Sequence, residues 1–222
     1  MATESKPINK TINLFRKLAK LLTPPPDLSV SEWADLYRRL SSESSAEPGR
    51  WRTDRAPYQR KIMDQINNPE VETIILMTSS QVGKTEIILN TIGYHIDYDP
   101  APIMVMQPTV EMANTFSKTR LAPMLRDTPA LKGKVADPKS RNSGNTILEK
   151  SFPGGVVVMV GANAPAGLAS RPIRILLADE VDRFPVSAGT EGDPLSLAEK
   201  RTTTFYNRKK IFVSTPTIKG VS

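Results

Sequence analysis

From about residue 58 the chain alternates short runs of Val, Ile, Leu and Met with stretches of helical pattern, and this alternation limits the folds open to it more than any other feature. Thr73–Met77 precedes a helix predicted from Lys84, and Ile103–Met106 precedes one predicted from Thr109. Further β-type runs are Thr146–Lys150, Val156–Val160, Arg174–Ala178 and Lys210–Ser214. Runs that are apolar throughout, rather than at every second residue, suit strands covered on both faces. Strands separated by helices give a mainly parallel α/β sheet flanked by helices.

The stretch before residue 58 reads differently. Ile8, Ile12, Phe15, Leu18 and Leu22 recur at helical spacing, with Lys10, Lys17 and Lys20 between them, which predicts a short amphipathic N-terminal arm. Pro24, Pro25 and Pro26 end that helix and impose an extended connector. A second helix starts at Ser29 or Ser31 and covers Glu32–Leu40. Residues 41–57 then read as an irregular surface segment rich in Ser, Pro, Gly and Arg. The expected division is an arm over 1–28, a lead-in over 29–57 and a nucleotide-binding domain over 58–222.

Composition removes whole classes of chemistry. The 222 residues hold no cysteine and one histidine, His95, so disulfides, thiolate nucleophiles and multi-histidine metal sites are excluded. Carboxylates, Lys, Arg, hydroxyls and backbone must do the work. No apolar run exceeds Val156–Val160, far short of the roughly 20 residues a membrane helix needs, and no secretory signal is visible. A formal net charge of +7 suits a polyanionic partner without requiring one.

The most specific constellation is Thr78-Ser-Ser-Gln-Val-Gly-Lys-Thr85, between a predicted strand and a predicted helix. It matches the phosphate-binding loop G-x-x-x-x-G-K-[ST], with Thr78 in place of the first glycine. Ser79, Ser80, Gln81, Val82 and Gly83 would turn their backbone N–H groups toward phosphate oxygens. Lys84 brings a point charge to the β/γ-phosphates, Thr85 a hydroxyl to Mg²⁺, and the helix its positive dipole end. Farther along, the Ile175–Ala178 run ends in Asp179-Glu180. Two carboxylates at the C-terminal end of a buried strand need a cation or phosphate chemistry nearby. The run ending in Ser214, Thr215 and Thr217 adds hydroxyls where such a sheet opens onto nucleotide.

In this order the motifs resemble the motor domain of large terminase subunits, specifically the lambda-type packaging ATPases of tailed phages and prophages. Tyr58-Gln59-Arg60, Ser79–Thr85, Gln107-Pro-Thr109, Asp179-Glu-Val-Asp-Arg-Phe-Pro185 and Ser214-Thr-Pro-Thr217 carry the resemblance, over about residues 30–222. It implies a RecA-like, additional-strand P-loop ATPase that uses ATP and Mg²⁺ to drive double-stranded DNA into a capsid shell. Gln59 would read the adenine edge beside Tyr58, Asp179 would hold the metal, and Glu180 would be the catalytic carboxylate. Ser214, Thr215 and Thr217 would couple hydrolysis to movement. Some terminases carry an arginine inside the loop; Ser79, Ser80 and Gln81 stand there instead, which moves the expected transition-state arginine to Arg171, acting in cis or on a neighbour, with Arg174 and Arg183 as rivals. The resemblance also implies a homo-oligomeric ring, a small terminase subunit, a capsid portal and the cytoplasm of an infected or lysogenic host. The nuclease half of such machines is not expected here, since the chain runs only to Ser222, and no DNA cleavage is expected from it. A helicase-type remodeller and a non-motor P-loop protein remain alternatives; the first needs a second RecA-like domain, the second usually shows a lid.

Overall fold

Packing on both sides dictates the sheet. In the computed structural model, Ile103 and Val105 of one strand enter a core on one face, while Met104 and Met106 enter a second core on the other. Successive strand residues point to opposite faces, so only an all-apolar run can feed two cores at once. The structure describes residues 11–18, 27–135, 145–168 and 171–217. In chain order the elements are α1 (residues 11–18), α2 (Val30–Tyr37), β1 (Arg39–Leu40), β2 (Gly49–Arg50), α3 (Tyr58–Asp64), β3 (Thr73–Met77) and α4 (Lys84–Asp97). There follow β4 (Pro102–Gln107), α5 (Val110–Phe116), α6 (Ala122–Asp127), β5 (Glu149–Phe152), β6 (Gly155–Gly161), α7 (Pro165–Leu168), β7 (Ile175–Asp179), α8 (Pro194–Glu199) and β8 (Lys209–Ser214).

The main sheet has six strands in the order β3-β8-β7-β4-β6-β5. All its pairings are parallel except β5 with β6, an antiparallel hairpin in which Phe152 faces Gly155. Strand β8 thus lies between β3 and β7, although it comes last in sequence. Buried α4 sits in the first core with β4, β7 and β8 residues; Leu168 of α7 and Ala198 of α8 sit in the second. Helix α2 starts with a capping box, Ser29 and Glu32 satisfying each other's backbone N–H. It packs on α4 so closely that a Cβ at Gly93 would lie 2.3 Å from the Trp33 ring. No helix among the described residues is long and apolar enough to cross a membrane.

Three expectations are corrected. The second helix ends at Tyr37 rather than Leu40: Arg38 turns extended, and Arg39–Leu40 pairs with Gly49–Arg50. Residues 41–57 are only partly surface, since Trp51 and Thr53 are buried and the Thr53 N–H donates to Asp35 Oδ1 (2.7 Å). Strand β5 lies three residues beyond its predicted start, because its register is set by the turn into β6 and not by its own apolar content. Of the arm, α1 is described and exposed; Ile8, Leu22 and Pro24–Pro26 lie outside the described residues.

Candidate functional site

Strand β3 delivers the chain into the 78–83 loop, and α4 leaves from it. Gln81 (φ 64°) and Gly83 (φ 78°) are both left-handed, which folds the loop back on itself at a helix N-terminus, the shape that turns N–H groups onto an anion. A side chain at Gly83 would strain the turn. The glycine's φ disfavours one, and a Cβ there would lie 2.5 Å from Gln59 Nε2. Gln59 and Tyr58, from the first turn of α3, both clamp the loop by donating to the Val82 carbonyl (2.9 Å each). Buried Gln59 keeps its Oε1 without a partner. The two side chains line a cavity of about 450 Å³ together with Gln81, Val82, Gly83, Arg50 and Arg55.

Lys84 is 7% exposed and opens α4. Its ammonium donates to the Ser79 carbonyl (2.8 Å) and to Thr215 Oγ1 (2.6 Å), 131 residues away. The contact exists because β8 runs beside β3, with Met77 opposite Ser214. The Thr78 N–H also donates to the Ser214 carbonyl (3.2 Å). One residue past β8, then, the chain touches the phosphate loop directly.

On the other side of β8, strand β7 ends in Asp179, which is 5% exposed. Gln107, at the end of β4, donates to its Oδ2 (3.3 Å), while Oδ1 is buried with no partner. Burial pushes the Asp179 carboxyl above its ordinary value; the Gln107 hydrogen bond opposes this and the Glu180 charge adds to it. Glu180 follows in the left-handed region (φ 55°, ψ 47°), a conformation that costs a non-glycine residue on the order of 1 kcal/mol. The turn is tied to the β8 exit: the Asp182 N–H donates to Ser214 Oγ (2.9 Å), and Thr217 donates to the Asp182 carboxylate.

The arginines separate. Arg171 forms a two-pronged pair with Glu149 (2.9 and 3.3 Å) on β5, the sheet edge opposite β3, so the fold does not bring it to Lys84 of its own chain. Arg174 precedes β7, at the far end of that strand from Asp179, and binds Asp99. Arg183 stands 3.9 Å from Glu180 with an exposed side chain. Half of the basic residues of 50–61 and 118–134 are paired with acids as well: Arg52 with Asp54, Arg55 with Glu47, Arg60 with Asp35, Arg126 with Glu43 and Asp127, Lys134 with Asp97. Gln107 touches Asp179 but was given no role from sequence, although it opens the Gln107-Pro-Thr109 motif that carried the resemblance.

Does the site fit a metal? Mg²⁺ takes oxygen ligands and uses one or two carboxylates with substrate phosphates. A single buried carboxylate with an unpartnered oxygen, across β8 from a Thr hydroxyl at the helix start, matches that need. No group of three or more His, Cys, Asp or Glu residues suited to a metal occurs among the described residues.

A phosphate loop on one strand, a carboxylate pair on another, and a strand inserted between them define an additional-strand P-loop ATPase. Sequence comparison narrows the class. Residues 45–222 match the family described as phage terminase large subunit gpA, ATPase domain, and the chain belongs to that family. It is 32% identical over 204 residues to a terminase large subunit of Enterobacteria phage P21, covering 91% of this chain and 31% of that protein. To the terminase large subunit of Escherichia phage lambda it is 28% identical over 222 residues, covering 99% and 34%. The chain therefore spans about a third of the length of these curated relatives. Among solved structures, the HK97 bacteriophage large terminase shares the fold with a TM-score of 0.64 at 15% identity, covering 84% of this chain and 37% of that one. The large terminase of a thermophilic bacteriophage does so at 0.51 and 15%, covering 79% and 39%. The chain is thus an ATPase domain of the terminase large-subunit type.

Proposed function

We propose that this domain is the motor of a DNA-packaging terminase, coupling ATP hydrolysis to movement of double-stranded DNA into a procapsid. The observation that carries the reading is the Lys84–Thr215 hydrogen bond of 2.6 Å, which links the phosphate-binding lysine to the strand exit tied to the Glu180 turn. A phosphate group bound in the loop competes for the Lys84 ammonium and frees Thr215. Ser214 and Thr217, both bonded to Asp182, carry that change to the turn holding Glu180. Hydroxyls are suited to such a relay because each can donate or accept as its partner changes.

The residue roles follow from position. Gly83 and its neighbours cradle the phosphates, Lys84 offsets developing charge, and the free Gln59 Oε1 accepts from the adenine amino group beside Tyr58. Thr85 and Asp179 hold Mg²⁺, which when bound neutralises phosphate charge. Glu180 orients the attacking water and takes its proton. Arg171 acts on a neighbouring copy's nucleotide in a ring, since its own chain ties it to the opposite sheet edge. The partners of such a motor are duplex DNA, the small terminase subunit and the capsid portal, met in the cytoplasm of the bacterial host.

The test is ATP turnover with and without duplex DNA, for the wild type and Thr215→Val. The expected result is stimulation by duplex in the wild type. Thr215→Val should keep nucleotide binding, tightened up to about tenfold because Lys84 no longer leaves a partner behind, and lose the stimulation. Turnover indifferent to duplex in both proteins would contradict the motor reading and favour a P-loop ATPase with another cargo.

A further inference from the structure

At the opposite end of the sheet from Lys84, strands β7 and β8 begin side by side around a cavity of about 210 Å³. His95, Asp99, Arg174, Tyr206, Asn207 and Lys209 contribute to its wall. The backbone fixes the two cations as neighbours, because the Lys209 N–H donates to the Arg174 carbonyl (2.9 Å). Arg174 gives one nitrogen to Asp99, and its Nε is buried without a partner. The Lys209 ammonium donates to the carbonyls of Asn68 and Val71. Burial pulls its pKa down, Glu72 opposes this, and the Arg174 charge adds to it. The histidine side chain is 4% exposed. Its Nδ1 lies 2.9 Å from the Asp99 carbonyl and 3.5 Å from both an Asp99 carboxylate oxygen and an Arg174 nitrogen, and its Nε2 is buried without a partner.

The acids nearby do not balance this wall. Among the described residues Asp99 is the one carboxylate that lines it: burial raises its pKa, but hydrogen bonds from His95 and Arg174 outweigh this and hold it at about 2. Glu72, whose charge opposes the lowering of the Lys209 pKa, already pairs with Arg208 (2.9 Å) and Lys210 (2.8 Å), whose hydrogen bonds hold it at about 2. Tyr94, stacked edge-on to the His95 ring at 5.0 Å, is pushed up to about 12, chiefly by burial, and stays neutral. Two largely buried cations, one just before β7 and one at the start of β8, therefore wall one hollow beside the His95 ring, with Asp99 the carboxylate among its described lining residues.

We propose that this hollow is a binding site for one phosphate-class oxyanion, held between Arg174 and Lys209 and completed by protonated His95. The anion relieves the repulsion between the two cations, accepting from the third Lys209 N–H with the Arg174 guanidinium charge beside it. An anion beside the ring favours the charged imidazole, so binding takes up a proton. Free phosphate and a nucleic-acid backbone phosphate present the same chemistry, and the exposed Tyr206 at the wall leaves the hollow open to either.

His95 is the only histidine in the chain, so its ring protons give one imidazole signal in a proton NMR spectrum. The experiment follows that signal through a pH titration of the 222-residue chain carrying Lys84→Ala, which silences the phosphate loop. Inorganic phosphate, sodium chloride at matched ionic strength, and a short DNA duplex are added separately. A saturable shift and a raised His95 pKa with phosphate, absent with chloride, are expected; Lys209→Gln and Arg174→Gln should each weaken it about tenfold. A response to duplex but not to phosphate also supports the site and assigns its ligand to the nucleic-acid backbone. If Arg174→Gln fails to fold, Lys209→Gln alone decides. No response to phosphate or duplex, or one that survives Lys209→Gln undiminished, overturns the proposal.

Discussion

Asp179 and Glu180 are neighbours in sequence with opposite surroundings. Asp179 is buried with one oxygen unpartnered, and Glu180 turns left-handed toward solvent. Burial raises the Asp179 pKa, so its folded-state value lies above the unfolded one. The charge therefore costs stability at neutral pH, and that cost disappears as pH falls through the folded value toward the ordinary carboxylate range. Asp179→Asn should stabilise the nucleotide-free domain at pH 7 by on the order of 1 kcal/mol, with the gain vanishing near pH 4, where the unfolded carboxyl also protonates. Urea unfolding at the two pH values checks this, and turnover should fall in the same variant. At Glu180 the expectation is reversed: Glu180→Ala relieves no buried charge but should cut turnover at least about 100-fold, with nucleotide affinity little changed by calorimetry. Gly83→Ala should abolish nucleotide binding, since the added methyl meets both the backbone angle and Gln59.

Among the elements, the contact between α2 and α4 makes the sharpest stability prediction. A methyl at Gly93 collides with Trp33, so Gly93→Ala should lose about 1–3 kcal/mol in urea unfolding. Adding Trp33→Leu should recover part of that loss, because the two changes share one space. Element by element, the sequence was most readable where a strand is buried on both faces. Strands β4, β6, β7 and β8 each lie within one residue of an apolar run, since two cores demand such runs, whereas edge strand β3 keeps its apolar run with Ile75 and Met77 exposed. Edge strand β5 was misplaced because Glu149, Lys150 and Ser151 give no apolar signal. The hairpin of β1 and β2 was missed for the same reason: two residues a side carry no pattern. At the candidate site, the loop that leads into α4 at Lys84 and Thr85 and the strand end at Asp179 and Glu180 were readable as local features, while the roles given to these residues remain part of the proposal. Gln107 on Asp179 and Thr215 on Lys84 were not readable in this way, as both depend on strand order, which places residues 72 and 131 positions apart in contact.

For the whole molecule, the ends of the sheet have different work. The C-terminal end of the parallel strands gathers the phosphate loop, the carboxylates and the hydroxyls; the other end gathers Arg174, Lys209 and His95. Between them runs β8, whose last residues touch both the loop and the Glu180 turn. Arg171 sits at the remote edge in its pair with Glu149, and the proposed role therefore places it on another copy's nucleotide. Most surface arginines near the lead-in and α6 are already paired with acids, so DNA binding by this chain alone should be weak and salt-sensitive. The measurement that bears most directly on the account is ATP turnover per molecule across a wide range of protein concentration, for the wild type, Glu180→Ala and Arg171→Ala. The account predicts turnover that rises with concentration in the wild type, vanishes in Glu180→Ala, and returns when Arg171→Ala is mixed with Glu180→Ala, each supplying what the other lacks. Turnover that is flat with concentration, or that persists in Glu180→Ala, would contradict it.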